Sequence, residues 1–186
     1  PAVAPAAFPR TREVVYAAHG MVAAAQPLAV QAGLDVLKQG GSAVDAAIAT
    51  NAALALMEPV SCGPGGDLFA ILWDPKAKKV VGLNGSGRSP KALSLEMVRK
   101  RATAKGMIPS YGAISVSVPG AVDAWWSLHQ RYGKLPWKDL FQPVIRAASA
   151  GFRVPARLAM FLGEGSPFPP TNEVRTLFSR PDGAEL

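Results

Sequence analysis

The chain contains little histidine and almost no cysteine: among 186 residues there are two histidines and one cysteine. The single cysteine, Cys62, excludes a disulfide within the chain and is neutral about the compartment. His19 and His129 lie far apart in the sequence and lack metal-ligand spacing, so packing or solvated roles are favoured over a metal site. We predict neither a metal nor any other cofactor.

A nucleophile with its base is also missing. Nucleophilic catalysis needs a hydroxyl or thiol beside a basic group. Ser61 and Cys62 have no basic partner nearby in the sequence, and a lone cysteine is more often a small buried hydrophobe. We therefore predict that no catalytic residue lies in this chain.

No stretch approaches the roughly 18 consecutive apolar residues of a membrane span. The candidate at residues 43–57 is interrupted by Asp45, Thr50 and Asn51. Pro1 to Pro9 lacks the basic and apolar regions of a signal peptide, which favours a cytoplasmic location over a periplasmic or secreted one reached by trimming. With 49% hydrophobic residues, the chain fits one soluble globular domain or a large piece of one. The expected organisation is an N-terminal extension at 1–19, a main domain at 20–160 and an irregular segment at 161–186.

Acidic residues are scarce as well, because 13 Asp and Glu oppose 20 Lys and Arg and leave a net charge of +7. The basic side chains concentrate in residues 88–105, where Glu96 is the one acidic residue. Such a patch could attract phosphates, but no nucleic-acid-binding module accompanies it and a solvated helix face is simpler. We predict no nucleic-acid partner and keep a non-catalytic basic binding module as the alternative of a different class.

Helix signals are clear in the first half of the chain. Pro27 suits the first turn of a helix that Gly40 closes. Ser42 and Asp45 form a capping box that begins a second helix, which runs to about Met57 and is small and apolar nearly all round. Such a helix is expected to form a buried layer.

Strands are predicted at 21–25, 67–74 and 79–84. In the strand at 67–74 both faces are apolar: one carries Leu68, Ala70 and Leu72, and the other carries Phe69, Ile71 and Trp73. A strand of this kind needs cover on both sides. Because the chain has both helix and strand signals, periodicity by itself indicates a mixed α/β fold.

The second half of the chain is predicted to contain further elements. They are a strand at 114–118, a helix from Pro119 to Gly133, a helical turn at 137–141, a helix begun by Pro143, an irregular chain after Gly151 and a loop at 163–170.

A glycine-rich turn connects the small-residue helix to the first apolar strand; its sequence is Glu58-Pro-Val-Ser-Cys-Gly-Pro-Gly-Gly-Asp-Leu-Phe69. It belongs to a series of motifs that includes Gly20 to Ala29, Gly33 to Ala47, Gly112 to Gly120, Tyr132-Gly-Lys-Leu-Pro-Trp137 and Gln142-Pro-Val-Ile-Arg-Ala-Ala148. This succession resembles the start of the γ-glutamyltransferase (γ-glutamyltranspeptidase) family of N-terminal nucleophile hydrolases. The resemblance covers most of residues 20–155.

The resemblance implies a partial four-layer αββα sandwich and a chain that is the first part of a large subunit. Family members cleave their own precursor, and the freed N-terminal threonine of the small subunit is the nucleophile that attacks γ-glutamyl amides such as glutathione. Each threonine here stands alone, without the expected Thr-Thr site: Thr11, Thr50, Thr103, Thr171 and Thr176. The implied partners are the remainder of the large subunit, the small subunit and a small γ-glutamyl substrate. Without them, we expect the isolated chain to self-associate through its uncovered sheet.

The segment Leu83-Asn-Gly-Ser-Gly-Arg-Ser-Pro90 is the candidate substrate-binding loop. In the family the corresponding segment is typically Asp-Gly-Arg-Glu-Thr-Ala-Pro, and its arginine pairs with the α-carboxylate of the substrate. Here Ser86 occupies that position and Arg88 follows two residues later. Either Arg88 reaches the substrate, or this branch prefers another acyl group, as a cephalosporin-acylase-like amidase would, or Arg88 is only a surface charge. The turn at Gly63 to Gly66 is expected to shape one wall of the cleft.

Overall fold

The structure, a computed structural model, describes residues 14–110 and 112–162. Both helices and strands are present, as the mixed α/β prediction requires. The elements are α1 (Pro27–Lys38), α2 (Ala43–Met57), β1 (Leu68–Asp74), β2 (Lys79–Gly85), α3 (Leu95–Arg101), α4 (Ala121–Tyr132), α5 (Gln142–Ala150) and α6 (Ala156–Leu162), with 3₁₀ turns at Ala113–Ser115 and Trp137–Phe141. None of the helices in these two ranges has the length and apolar character needed to cross a membrane.

Helices α1 and α2 form a closely packed pair. Pro27 stands in the first turn of α1, where the Gln26 side chain accepts backbone N–H groups. The predicted capping box begins α2: Asp45 N–H donates to Ser42 Oγ at 3.1 Å and Ser42 N–H donates to Asp45 Oδ2 at 2.8 Å. A Cβ atom on Gly33 would overlap Thr50 Oγ1, so small residues are required where the helices meet.

The sheet consists of β1 and β2, paired antiparallel from Leu68 opposite Gly85 to Asp74 opposite Lys79. Leu68 packs against the helical core. On the opposite face Phe69, Ile71 and Trp73 are 69%, 83% and 59% exposed. The alternation predicted from the sequence is therefore present, and helices cover one face while the other is open. This arrangement is part of a layered sandwich.

The core lies between α2, α4 and the turn at Trp137–Phe141. Its largest cluster contains Val36, Ile48, Trp125 and Leu140, and Trp125 Nε1–H donates to Asn51 Oδ1 at 2.9 Å. His129 packs against the rings of Trp126 and Trp137 and contacts the Leu135 carbonyl through Nε2 at 2.8 Å. The packing role expected for this histidine is therefore observed, whereas His19 is exposed.

Two predicted strands are wrong. Residues 21–25 are irregular, because within the described part of the chain no strand lies beside them to complete a ladder. At 114–118 a 3₁₀ turn, Ala113–Ser115, is followed by extended backbone. Val118 N–H donates to the Arg88 carbonyl at 2.9 Å, but this bond does not extend into a ladder, because β1 pairs with β2 alone among the strands of residues 14–110 and 112–162.

Two further expectations need correction. The chain after Gly151 is not wholly irregular, since α6 forms at Ala156–Leu162 and buries Leu158. Pro155, just before it, is tolerated at a helix start. Helix α2 is not buried all round, because Ala43 and Ala47 are exposed. The loop expected at 163–170 lies outside the described residues, as do most of the segments assigned to 1–19 and 161–186.

Candidate functional site

Three segments that are distant in sequence meet beside the end of β2: the turn before β1, the loop after β2 and the segment before α4. Gly120 and Ala121 both donate their N–H groups to the Gly66 carbonyl, at 3.1 and 3.0 Å. Val118 N–H donates to the Arg88 carbonyl at 2.9 Å. The loop that contains the candidate substrate-binding residues is therefore bonded to the segment before α4, which is in turn bonded to the turn before β1.

Asp67 joins all three segments through one carboxylate oxygen. Its Oδ1 accepts the Gly87 N–H at 2.7 Å and the Ser117 hydroxyl at 3.1 Å. The Gly87 N–H is the main cause that lowers the pKa of Asp67 below its usual value, and the hydroxyls of Ser117 and Ser86 lower it further. The side chain is therefore a carboxylate at neutral pH.

Glycine is required where these segments touch. A Cβ atom on Gly87 would overlap the Val118 carbonyl, and one on Gly120 would overlap the Gly85 carbonyl. A larger residue at either position would push the loop away from the segment before α4. The two glycines therefore allow the loop to approach the segment before α4 closely, and Asp67 accepts a hydrogen bond from the loop backbone.

The two candidate binding residues, Ser86 and Arg88, are both exposed on this loop. Ser86 N–H donates to Asn84 Oδ1 at 2.9 Å, which forms a local turn. Within residues 14–110 and 112–162 the ion pairs involve other basic residues, and Arg88 forms none. Its guanidinium group is therefore available to an external anion.

The thiol of Cys62, beside the glycine-rich turn, is poorly suited to act as a nucleophile. Burial is the main cause that raises the pKa of the Cys62 thiol, and the nearby Glu58 carboxylate raises it further. A raised pKa keeps the sulfur protonated and unreactive. A Cβ atom on Gly63 or Gly65 would meet nothing within 4 Å, so close packing does not explain these two glycines, and the cleft-wall role of the turn stays a prediction.

Sequence reasoning does not identify Asp67 and Ser117. It places Asp67 only at the start of a strand, and it places Ser117 inside a strand that does not form. The signal that is present is a carboxylate between a glycine-rich turn and an apolar strand. The contacts span 20 and 50 residues, and no local pattern encodes contacts over such separations.

A groove elsewhere in the molecule is large enough for a ligand. It has a volume of about 1480 Å³ and runs between α2 and β1, and its lining is mostly apolar, with Ala47, Leu54 and Leu72 among its residues. It lies on the uncovered side of α2. No group of three or more His, Cys, Asp or Glu side chains is suitably placed for a metal ion in the part of the chain that the structure describes.

The sequence matches a known protein family. The family described as Gamma-glutamyltranspeptidase matches residues 29–185. A curated relative, the "Glutathione hydrolase-like YwrD proenzyme" of Bacillus subtilis, is 39% identical over 137 residues, which are 73% of this chain and 25% of the relative. The chain spans about a quarter of the length of the curated relatives it matches.

Solved structures give the same fold. The gamma-glutamyltranspeptidase of Helicobacter pylori superposes with a TM-score of 0.81 at 25% identity, covering 93% of this chain and 50% of that one. A cephalosporin acylase from Bacillus halodurans superposes with a TM-score of 0.76 at 46% identity, covering 94% of this chain and 31% of that one. Both likenesses confirm the fold class predicted from the sequence.

Proposed function

Since this chain belongs to the gamma-glutamyltranspeptidase family, we propose that it is part of an enzyme that cleaves γ-glutamyl amides such as glutathione. The glutamyl group passes to water, or to an amino acid or peptide. Support comes from the name of the YwrD relative, a glutathione hydrolase-like proenzyme, and from the gamma-glutamyltranspeptidase structure that shares the fold.

The observation that carries this proposal is the exposed Arg88 guanidinium on a loop of fixed backbone. A guanidinium group is planar and donates two parallel charge-assisted hydrogen bonds to a carboxylate. Arg88 binds the α-carboxylate of the γ-glutamyl group, and the neighbouring Ser86 hydroxyl completes the contact. Both residues come from the loop after β2, so a single segment supplies the recognition of the substrate.

The bond-breaking residues belong to the rest of the protein. A threonine freed by cleavage of the precursor attacks the γ-glutamyl carbonyl carbon, and its own α-amino group takes the hydroxyl proton. The amide nitrogen leaves with a proton, and water or an amine then releases the glutamyl group. The partners of this chain are therefore the remainder of the large subunit and the small subunit, and the uncovered sheet face supports this expectation.

A related acylase is the second candidate. The cephalosporin acylase from Bacillus halodurans is 46% identical to this chain, which is more than the 25% of the Helicobacter pylori enzyme. Ser86, in place of the family arginine, also favours a changed acyl specificity. The non-catalytic alternative, a basic binding module, depends on the charge of residues 88–105, which include the exposed α3.

A substrate panel on the full-length protein tests the proposal. We expect kcat/KM for a γ-glutamyl anilide and for glutathione to exceed that for a cephalosporin amide with an aliphatic acyl group. A preference of about tenfold or more for the cephalosporin amide, equivalent to about 1.4 kcal/mol, would establish the acylase instead. No turnover of any of them, together with salt-dependent retention on nucleic acid, would support the binding module.

A further inference from the structure

We propose that Asp67 is a positioning residue that holds the loop of Gly87 and Arg88 so that the Arg88 guanidinium is presented to substrate in one place. The proposal rests on the proposed function of Arg88. It goes beyond that function because it assigns a role to a side chain outside the binding loop, directly before the other strand of the sheet.

The sheet alone does not fix Arg88. The ladder between β1 and β2 ends at the pair Leu68 and Gly85, so the next residues of the loop have no strand partner. Asp67 precedes Leu68 directly and provides the next contact, because its Oδ1 accepts the Gly87 N–H at 2.7 Å. The carboxylate thus replaces the ladder where the ladder stops.

The loop is held from a second side as well. The Arg88 carbonyl accepts the Val118 N–H at 2.9 Å, and Ser117, the preceding residue, donates its hydroxyl to the same Asp67 oxygen at 3.1 Å. Gly87 and Arg88 therefore lie between Asp67 and the 117–118 segment. Loss of the Asp67 carboxylate removes two of these three connections.

The charge of Asp67 provides a way to separate positioning from electrostatics. A carboxylate near the site for the substrate's α-carboxylate repels that group, so a purely electrostatic effect on it predicts tighter binding when Asp67 is removed. A positioning role predicts the opposite. Asparagine at this position keeps an acceptor oxygen of the same geometry and loses the charge, so the two roles also differ in what Asp67→Asn does.

The test uses the full-length protein and a γ-glutamyl anilide. For Asp67→Ala we expect KM to rise about tenfold with kcat changed less than about twofold, the pattern of lost binding. For Asp67→Asn we expect KM to stay within about threefold of wild type. In an Arg88→Ala background, Asp67→Ala should add less than about a twofold change, because its effect passes through Arg88. An unchanged or lower KM for Asp67→Ala, or the full penalty in the Arg88→Ala background, overturns the proposal.

A second readout does not depend on activity. Hydrogen exchange at the Gly87 amide should accelerate in Asp67→Ala and remain close to wild type in Asp67→Asn. Unchanged exchange in Asp67→Ala would show that Asp67 does not hold the Gly87 amide and overturns the positioning role. An unchanged KM in Arg88→Ala overturns the proposed function instead. Asp67 is exposed, so we expect Asp67→Ala to fold. Ser117→Ala, which removes only the second donor, should raise KM about threefold and decides the matter if Asp67→Ala does not fold.

Discussion

At the scale of single residues, the loop after β2 departs from the family pattern by the position of its arginine. Aligned on the glycine and proline of the motif, the arginine position holds Ser86, and the guanidinium group of Arg88 comes two residues later. The guanidinium group is therefore carried by a residue in the exposed loop beyond the last ladder pair of β2.

This geometry predicts unequal effects of the two side chains in the full-length protein. Arg88→Ala should weaken binding of a γ-glutamyl anilide by about 1.5–3 kcal/mol, the cost of a lost charge-assisted contact. Ser86→Ala should cost less than about 1 kcal/mol. Steady-state KM values measure both. Lys91→Ala, which removes another exposed basic residue nearby, is the matched control and should leave KM unchanged. If Arg88→Ala behaves like Lys91→Ala, the arginine is a bystander.

The sequence predicts Arg88 and Ser86 as candidates, because both belong to a recognisable motif. It does not predict Asp67 as their support. A carboxylate that accepts a backbone N–H from 20 residues away leaves no periodic signal, and its partner Ser117 lies in a segment whose sequence predicts a strand. Chemistry that depends on distant pairs becomes visible only when the chain is folded.

At the scale of elements, α2 is the best-predicted part of the fold. Ser42 and Asp45 mark its start, and alanine fills the positions where α1 approaches. The sequence does not predict the further contacts of Asp45: its Oδ2 also accepts the N–H groups of Lys134 and Leu135, at 2.9 and 3.2 Å. The capping residue of α2 thus also binds the segment that follows α4.

The strands predicted at 21–25 and 114–118 do not form. Their residues favour extended backbone, but in the part of the chain that the structure describes no neighbouring strand pairs with them.

The contacts of Asp45 predict a large loss of stability on substitution. Asp45 is fully buried, so Asp45→Ala leaves three N–H groups without their acceptor, at about 1–3 kcal/mol for each buried unsatisfied donor. We expect a total loss of about 3–5 kcal/mol. Denaturant unfolding of this chain, followed by circular dichroism, measures it. Asp35→Ala removes an acidic residue from the partly exposed surface of α1 and should change stability by less than about 0.5 kcal/mol. Equal midpoints for the two variants would contradict the role given to Asp45.

At the scale of the whole molecule, the chain has one covered and one uncovered sheet face. Phe69, Ile71 and Trp73 are exposed together on β1, while the helices pack on the side of Leu68. The mixed fold class is predictable because both faces of the strand are apolar in sequence. The layer that covers the second face is not, because it belongs to no part of the chain that the structure describes.

The uncovered face predicts self-association of the isolated chain. Apolar surface forfeits roughly 25 cal/mol for each Å² left in water, so burial against a second copy is favourable. Size-exclusion chromatography with light scattering at micromolar concentration should show species larger than the monomer. Ile71→Lys places a charge on this face and should shift the chain toward monomer, whereas Lys76→Ala, in the exposed turn after β1, should not. A clean monomer that binds no apolar dye would mean that the face is covered by the chain itself.

The proposal that the bond-breaking residues belong to the rest of the protein predicts that this chain alone has no activity. The chain carries no nucleophile with an adjacent base in its sequence, and the thiol of Cys62 has a raised pKa. We expect no detectable release of the aniline from a γ-glutamyl anilide by the purified chain. Turnover that a substitution within residues 14–162 abolishes would show that a catalytic group has been overlooked.

The most direct test of the account is whether the full-length protein recognises the α-carboxylate of its substrate. The measurement is kcat/KM for a γ-glutamyl anilide against that for the 4-aminobutanoyl anilide, which differs only in lacking this carboxylate. We predict a preference of about tenfold or more for the γ-glutamyl compound, the equivalent of a charge-assisted contact, and loss of that preference in Arg88→Ala. Equal values for the two anilides in the wild-type protein would contradict a γ-glutamyl-specific site on this loop.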